Sequence, residues 1–197
     1  MVISLAERAK VVVSDIIDTE NTVNIIKQAG GEAIGNHCDV TNPDQTKALV
    51  AQAVETFGKL DIMVTNAALF ADLKQRSFLE IDEAEWDRVM QINTRGVFSC
   101  GKAAVPEMKK NGYGKILTIA SGTVFKGTPM MLHYVSSMCA MVAFTRALAR
   151  EVEKAGGRLV TGAHVSSLRQ IDGWTAETPA GAFSAEFIVN CAGLHCD

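Results

Sequence analysis

Two hydroxyl side chains, those of Ser121 and Tyr134, have the types and placement needed for chemistry on a small oxygen-containing substrate. Ser121 follows the apolar run KILTIA, which predicts a strand, and Tyr134 lies near the start of a long predicted helix. Such a pair can hold one carbonyl or alcohol oxygen between them, with the tyrosine donating or accepting the proton. A buried serine and a tyrosine at the edge of a core are each commonplace, so the prediction depends on their pairing.

Acidic and small residues follow three other predicted strands, where an open α/β sheet binds its ligands. They are Asp15, Asp39, Val40, Asn66, Ala67 and Ala68. The Asp15 carboxylate can accept hydrogen bonds from both hydroxyls of an adenosine ribose, and it would repel a 2′-phosphate. Asp39 and Val40 suit the edge and face of an adenine. The small residues at 66–68 let a backbone approach a flat cofactor.

Each of these residues also has an ordinary structural interpretation, which the sequence leaves open. Asp15 can be an acid favoured near a helix N-terminus, and Asp39 can be a turn aspartate. Residues 66–68 can form a tight connection between a strand and a helix.

The elements that must position these residues alternate between strand and helix signals. Predicted strands cover 10–15, 32–38, 61–65 and 115–120, and predicted helices cover 21–29, 42–57, 82–111 and 130–154. This alternation predicts an α/β fold, a Rossmann-like parallel sheet with helices on both faces. Asn93 lies inside the helix predicted for 82–111 although asparagine is a poor helix former, and no local signal explains it.

The last 45 or so residues have strand signals without helices. Strands are predicted for 158–165, 170–177 and 187–191, with a turn at 178–181, so the chain should end in a β-hairpin and strand segment. We therefore predict two domains, 1–151 and 152–197.

Composition limits the function classes. A net charge of −3 argues against a nucleic-acid surface, and no long apolar run predicts a membrane span. The first residues carry charges and lack the apolar core of a signal peptide, so we expect a cytoplasmic protein. The 5 cysteines contain no C-x-x-C pair and indicate free thiols, and we expect no metal site.

Taken together, residues 7–151 resemble the short-chain dehydrogenase/reductase family. The matching pieces are VVVSD, CDVT, DIMVTNAA, QINTRGVF, ILTIASG and HYVSS. The resemblance implies a nicotinamide cofactor and hydride transfer between an alcohol and a carbonyl of a small molecule. It also implies that Ser121 positions the substrate oxygen, that Tyr134 is the acid/base, and that Asn93 supports a proton-relay water.

For the cofactor, the resemblance implies an adenosine end formed by the residues after the first three strands. These are Asp15, Asp39, Val40, Asn66, Ala67 and Ala68, with Tyr134 at the nicotinamide end. Asp15 favours NAD over NADP. In the family, the long helices here placed at 82–111 and 130–154 pair subunits, so a homo-oligomer is compatible with the sequence.

The chain departs from the family at two places within this stretch. Family members have a lysine four residues after the tyrosine, whereas this chain has Met138, which offers neither charge nor proton. Misplaced acid–base chemistry typically lowers rates by about 10²–10⁴.

The family's first strand and glycine-rich turn are also missing, which makes the predicted sheet incomplete. The central position between the strands ending at Asp15 and Thr65 is expected to be vacant unless residues 187–191 occupy it.

Residues 152–197 resemble a different family, the FAD-dependent oxidases of the D-amino-acid-oxidase and 2-hydroxyglutarate-oxidase type, chiefly through IVNCAGLH. Because the glycine turn of that family is missing too, FAD binding is not expected. Three hypotheses follow. The first is an impaired NAD-linked oxidoreductase, the second a catalytically inactive hybrid or truncated α/β domain, and the third a flavin-linked fragment.

Overall fold

The computed structural model describes residues 9–155, 165–170 and 173–185, and it divides the chain into two compact units at Thr145/Arg146. The predicted domain boundary at 151/152 stays a prediction. The strands are β1 (Lys10–Asp15), β2 (Glu32–His37), β3 (Ile62–Thr65), β4 (Lys115–Thr118), β5 (Ser167–Gln170), β6 (Trp174–Thr178) and β7 (Gly181–Ala185). The helices are α1 (Glu20–Gln28), α2 (Pro43–Phe57), α3 (Glu83–Met90), α4 (Gly96–Lys110), α5 (Thr123–Lys126) and α6 (Leu132–Lys154).

The first unit confirms the predicted α/β class with parallel strands. β1 pairs with β2 and β3 pairs with β4, both in parallel. Helices cover both faces of the first pair. Val23 and Ile26 of α1 pack with Ala33 on one face, while on the other Asn36 donates a hydrogen bond to Gln52 of α2 at 2.6 Å.

No strand among the described residues joins the β1–β2 pair to the β3–β4 pair, and the vacancy predicted at the central sheet position stays a prediction. The proposed occupant, residues 187–191, lies outside the described residues, as does the predicted strand 158–165 apart from Val165.

Helix α2 shows how local sequence sets an element's bounds. The Asn42 side chain accepts hydrogen bonds from the N–H groups of Asp44 and Gln45, Pro43 occupies the first turn, and Gly58 ends the helix with φ 84°. Each is a standard capping device, so the predicted helix is found where the sequence placed it.

The helix predicted for 82–111 is interrupted, which corrects that prediction. α3 and α4 are separated by a π-helical turn, Gln91–Arg95, that contains Asn93. Such turns insert one extra residue into a helix and are frequent at functional sites. Asn93 is therefore not part of a regular α-helix, which explains why a poor helix former is found at this position.

Val40 packs against the start of α4, and Gly96 makes this approach possible. A Cβ atom at residue 96 would lie 2.7 Å from Val40 Cγ2 and 3.1 Å from Val40 Cβ. We expect Gly96→Ala to lower the free energy of unfolding by about 1–3 kcal/mol, as overpacking does, measured by urea unfolding. The double variant with Val40→Ala should recover most of the loss. Gly122→Ala is the matched control, since a Cβ there meets nothing within 4 Å.

The second unit contains the antiparallel sheet β5–β6–β7. The single strand predicted for 170–177 is wrong in its bounds. Gln170 pairs with Trp174 across a connection that includes Gly173 at φ 126°, a conformation that only glycine adopts readily. The predicted turn at 178–181 is present, with the Thr178 hydroxyl donating a hydrogen bond to the carbonyl of Gly181 at 2.8 Å.

Three cysteines lie within the described residues, all as free thiols. Burial raises the pKa of the Cys100 thiol to about 11 and also raises the pKa of Cys38, so both stay protonated at neutral pH. Cys139 is exposed. No group of three metal-ligating side chains occurs among the described residues, and none of their helices is long and apolar enough to span a membrane.

Candidate active site

Tyr134, in the first turn of α6, lines a cavity of about 220 Å³. Residues 70–75, which lie between β3 and α3, supply Phe70, Ala71, Leu73 and Gln75 to one side of it. Thr123, Thr128 and Met131 complete the lining together with the tyrosine. The cavity is therefore largely apolar, with two hydroxyls and one amide besides the phenol.

The Tyr134 side chain is held by its ring, while its hydroxyl stays available. The residue is 8% exposed, and the centroids of its ring and the Phe70 ring are 4.8 Å apart at an interplanar angle of 45°. Its hydroxyl makes no hydrogen bond to any other described residue. A phenol fixed by packing and open to a cavity can exchange a proton with an oxygen bound there.

Ser121 does not bond directly to Tyr134. Its Oγ accepts hydrogen bonds from the Thr123 hydroxyl at 3.0 Å and from the Thr123 N–H at 3.3 Å, and Thr123 rather than Ser121 lines the cavity. Because these bonds use the two lone pairs of Oγ, the Ser121 O–H proton remains free to donate. A donor of this kind suits a carbonyl oxygen.

Thr123 is a cavity residue that the sequence analysis missed. The short spacing of two hydroxyl residues after a strand, S-G-T, was its only available signal, since a serine often accepts a hydrogen bond from a residue two positions later.

Asn93 joins three segments through its amide. Its Oδ1 accepts a hydrogen bond from the Leu69 N–H at 2.7 Å, and its Nδ2 donates to the Leu69 carbonyl at 3.3 Å and to Ser137 Oγ at 3.0 Å. The residue is 0% exposed. Both amide protons are thus used for structure, and one lone pair of Oδ1 remains for the water-holding role that the family resemblance implies.

We expect Asn93→Ala to lower the free energy of unfolding by about 2–3 kcal/mol. The reason is that the N–H and carbonyl of Leu69 would lose their partner at a partly buried position, and the buried Ser137 hydroxyl would lose its donor. Chemical unfolding of Asn93→Ala beside Asn42→Ala tests this, because Asn42 is an exposed helix cap whose loss should cost about 1 kcal/mol. Equal losses of stability in the two variants would contradict the prediction that the Asn93 side chain holds Leu69 in place.

Met138 fills the position one helical turn after the tyrosine. It is 1% exposed and packs in an apolar cluster with Val97, Met131, Tyr134 and Met141. No cation belongs to this cluster, so among the described residues Tyr134 has a thioether and hydrocarbon for immediate neighbours on this side.

The residues predicted to face an adenosine follow the strands β1, β2 and β3. Asp15 is exposed, and its Oδ1 accepts hydrogen bonds from the N–H groups of Ile16 at 2.7 Å and Ile17 at 3.4 Å. One carboxylate oxygen therefore remains for a ligand. The small residues Asn66, Ala67 and Ala68 are exposed as well.

Asp39 and Val40 are more firmly engaged in the fold. Asp39 Oδ1 accepts hydrogen bonds from the N–H and the hydroxyl of Thr41 at 2.8 and 2.7 Å, while Val40 packs on α4 at Gly96. Val40 is half-buried, so part of its side chain can still contact an adenine.

Comparison with known proteins gives this arrangement a family. The sequence pattern of the family described as "short chain dehydrogenase" matches residues 1–168. The chain belongs to the short-chain dehydrogenase family. The match extends past residue 151, where the sequence analysis ended the resemblance to this family.

Three relatives illustrate the range of the short-chain dehydrogenase family around this chain. An "Uncharacterized oxidoreductase" of Thermotoga maritima is 37% identical over 75% of this chain and 58% of its own length. A 3-oxoacyl-(acyl-carrier-protein) reductase of Staphylococcus aureus is 31% identical over 70% of this chain and 54% of its own. The "Peroxisomal hydratase-dehydrogenase-epimerase" of Neurospora crassa is 36% identical over 74% of this chain and 16% of its own.

A solved structure of a short-chain dehydrogenase/reductase from Burkholderia xenovorans supports the fold, with a TM-score of 0.73 and 26% identity over 80% of this chain and 63% of the other. The chain thus spans little more than half the length of most of these short-chain dehydrogenases. Members of the family are oxidoreductases that generally use NAD(P), and nothing in these comparisons indicates FAD.

The exposed strand ends fit the adenosine half of such a cofactor. Asp15 offers one uncommitted carboxylate oxygen for ribose hydroxyls, and residues 66–68 leave room for a flat ring. The hydroxyl of Tyr134, which bonds to no other described residue, can exchange a proton with a carbonyl or alcohol oxygen.

Proposed function

We propose that this chain carries the substrate-facing part of an NAD(H)-linked oxidoreductase that interconverts an alcohol and a carbonyl. The observation that carries the proposal is the hydroxyl of Tyr134, which has no partner among the described residues and belongs to a side chain that lines the cavity. The proposed substrates are compact, because 220 Å³ is below the usual range of about 300–1,000 Å³ for ligand sites.

In the proposed reaction, the substrate oxygen lies between two donors. Tyr134 gives its proton to the carbonyl oxygen as that oxygen gains charge, and it takes the proton back from an alcohol in the reverse direction. Because Thr123 rather than Ser121 lines the cavity, the free O–H of Ser121 donates the second hydrogen bond only to a substrate oxygen that reaches past the Thr123 side chain. The nicotinamide, when bound, supplies or accepts the hydride. The 3-oxoacyl and hydratase-dehydrogenase relatives act within the same carbonyl chemistry, according to their names.

Two features define the limits of this activity. Asp15 favours NAD, since a carboxylate repels a 2′-phosphate. Met138 removes the cation that would stabilise a tyrosinate, so the rate should be about 10²–10⁴ lower than in members with lysine at this position.

A second candidate function is a catalytically inactive hybrid or truncated α/β domain that binds nucleotides weakly or not at all. The burial of Met138 in an apolar cluster favours it, because the described residues of this cluster offer no charged group beside the tyrosine. The flavin-linked alternative and self-association through 82–111 and 130–154 stay predictions.

Titration with NADH, followed by its fluorescence, tests the first function against the second. We expect saturable binding that is tighter than that of NADPH, and about 10-fold or greater weakening in Asp15→Asn, because hydrogen bonds to a charged group contribute about 1.5–3 kcal/mol. Asp87→Asn, an exposed change on α3, is the control. A flat titration would support the inactive domain, and a yellow purified protein would revive the flavin alternative.

A further inference from the structure

Residues 69–76, here called the strap, form one side of the cavity and are fixed at both ends. At the first end, the backbone N–H and the carbonyl of Leu69 are both hydrogen-bonded to the side-chain amide of Asn93. At the second end, the N–H of Arg76 donates a hydrogen bond to the carbonyl of Met130 at 3.0 Å. Between them, a turn closed by the Leu73 N–H and the Phe70 carbonyl at 3.1 Å brings the strap to the cavity.

A buried network reinforces the second end. Glu85 of α3 places Oε1 3.1 Å from His133 Nε2 and Oε2 3.4 Å from Arg76 Nη2. His133 immediately precedes Tyr134 and is 0% exposed, while the Glu85 and Arg76 side chains are mostly buried at 22% and 27% exposure. One carboxylate therefore ties the strap to the turn of α6 that carries the tyrosine.

The fold keeps two unfavourable features beside this network. His133 Nδ1 is buried without a hydrogen-bond partner among the described residues, while the other ring nitrogen, Nε2, lies 3.1 Å from the Glu85 carboxylate. Met130 has φ 63°, a left-handed conformation that an unbranched non-glycine residue adopts only at a cost. Each costs on the order of 1–3 kcal/mol and calls for an explanation.

An ordinary stabilising role explains these features poorly. A buried ion pair is weak evidence for stability, because desolvation offsets much of the attraction. Glu85 also directs its two carboxylate oxygens to the two segments beside the cavity, one to Arg76 of the strap and the other to His133 of α6. Both unfavourable residues, Met130 and His133, directly adjoin a cavity residue, Met131 or Tyr134. The two unfavourable features therefore lie directly beside residues that line the cavity.

We propose that Glu85 and His133 are positioning residues that hold the strap against Tyr134, set the width of the cavity and thereby restrict the substrate to compact carbonyl compounds. The restriction to carbonyl substrates rests on the proposed function, whereas the anchoring of the strap does not. With the anchor lost, residues 70–75 move away from the tyrosine, and bulkier ketones enter.

Amide hydrogen exchange tests the anchor without requiring turnover. In Glu85→Gln, which cannot pair ionically with Arg76, the amide of Arg76 should exchange about tenfold or more faster, as local opening becomes easier. Glu83→Gln, an exposed change two positions earlier on α3, should leave that amide unchanged. Equal exchange in wild type and Glu85→Gln would overturn the proposal.

Ligand-observed NMR with cyclohexanone and the bulkier 2-decalone tests the width. We expect the wild type to favour cyclohexanone, His133→Ala to lose most of that preference, and His133→Gln, which can still donate to Glu85, to restore part of it. A preference that is unchanged in His133→Ala would overturn the restriction, and so would a wild type that binds neither ketone. Ketone binding with a flat NADH titration would instead contradict the proposed function and leave the positioning role supported.

Discussion

Replacement of Tyr134 by phenylalanine should lower the rate of NADH-dependent carbonyl reduction by about 10²–10⁴-fold, the usual contribution of a general acid. The change removes only the hydroxyl, which bonds to no other described residue. The ring contact with Phe70 at 4.8 Å is retained. We therefore expect the free energy of unfolding to stay within about 1 kcal/mol of wild type, so that the loss is chemical rather than structural. Initial rates with a panel of small ketones, together with urea unfolding, provide the two measurements.

The sequence offers a matched control, because it contains 2 tyrosines. Tyr113 is exposed after α4, and Tyr113→Phe should leave the rate unchanged. Ser121→Ala should show a smaller loss than Tyr134→Phe, since it removes a donor and leaves the acid in place. A wild-type rate no higher than that of Tyr134→Phe would show that the phenol transfers no proton, and it would favour the inactive domain.

Met138→Lys, which introduces the residue that the family resemblance implies, should destabilise this protein by about 4 kcal/mol. The side chain at 138 is 1% exposed among apolar neighbours. Burial there would lower the pKa of a lysine by about 3 units, at about 1.4 kcal/mol per unit. Because the pKa would be lower in the folded than in the unfolded state, the loss should shrink as the pH rises toward the ordinary lysine value of about 10.4.

Met138→Leu is the control for packing, and a change of similar volume should cost less than about 1.5 kcal/mol. A Lys variant as stable as the Leu variant would show that the ammonium reaches water or a bound cofactor from this position. If such a variant also reduced ketones faster than wild type, the impairment would be traced to Met138 alone. A stable variant without activity would support the second candidate function.

The sequence predicted those elements whose signals are local. The strand at 10–15 is found with the same bounds, and the helix after Asn42 begins and ends at its caps, because each signal lies within the element itself. The strand predicted at 170–177 failed because the polar alternation continued through Gly173, and only the positive φ of that residue reveals the break.

The candidate site was predictable in its residue types and less so in its contacts. Tyr134 lines a cavity, yet its expected partner Ser121 bonds to Thr123, a contact that depends on how the chain turns after β4. Asn93 stood out as an anomaly, but its partners lie 24 and 44 residues away. The pairing of His133 with Glu85 spans 48 residues, and no pattern in the sequence around either residue indicates it. Such contacts depend on tertiary packing, which periodicity does not encode.

The π-helical turn at Gln91–Arg95 has a geometric consequence for insertions and deletions. Because such a turn holds one residue more than a regular α-helical turn, deleting one of its residues other than Asn93 would leave α3 and α4 as one continuous α-helix in nearly the same phase. A deletion within α4 has no such compensation, and the part of the helix beyond it would rotate by about 100°. The turn should therefore tolerate the loss of one residue better than the regular helix that follows it, whereas position 93 must keep its asparagine because the side-chain amide holds Leu69.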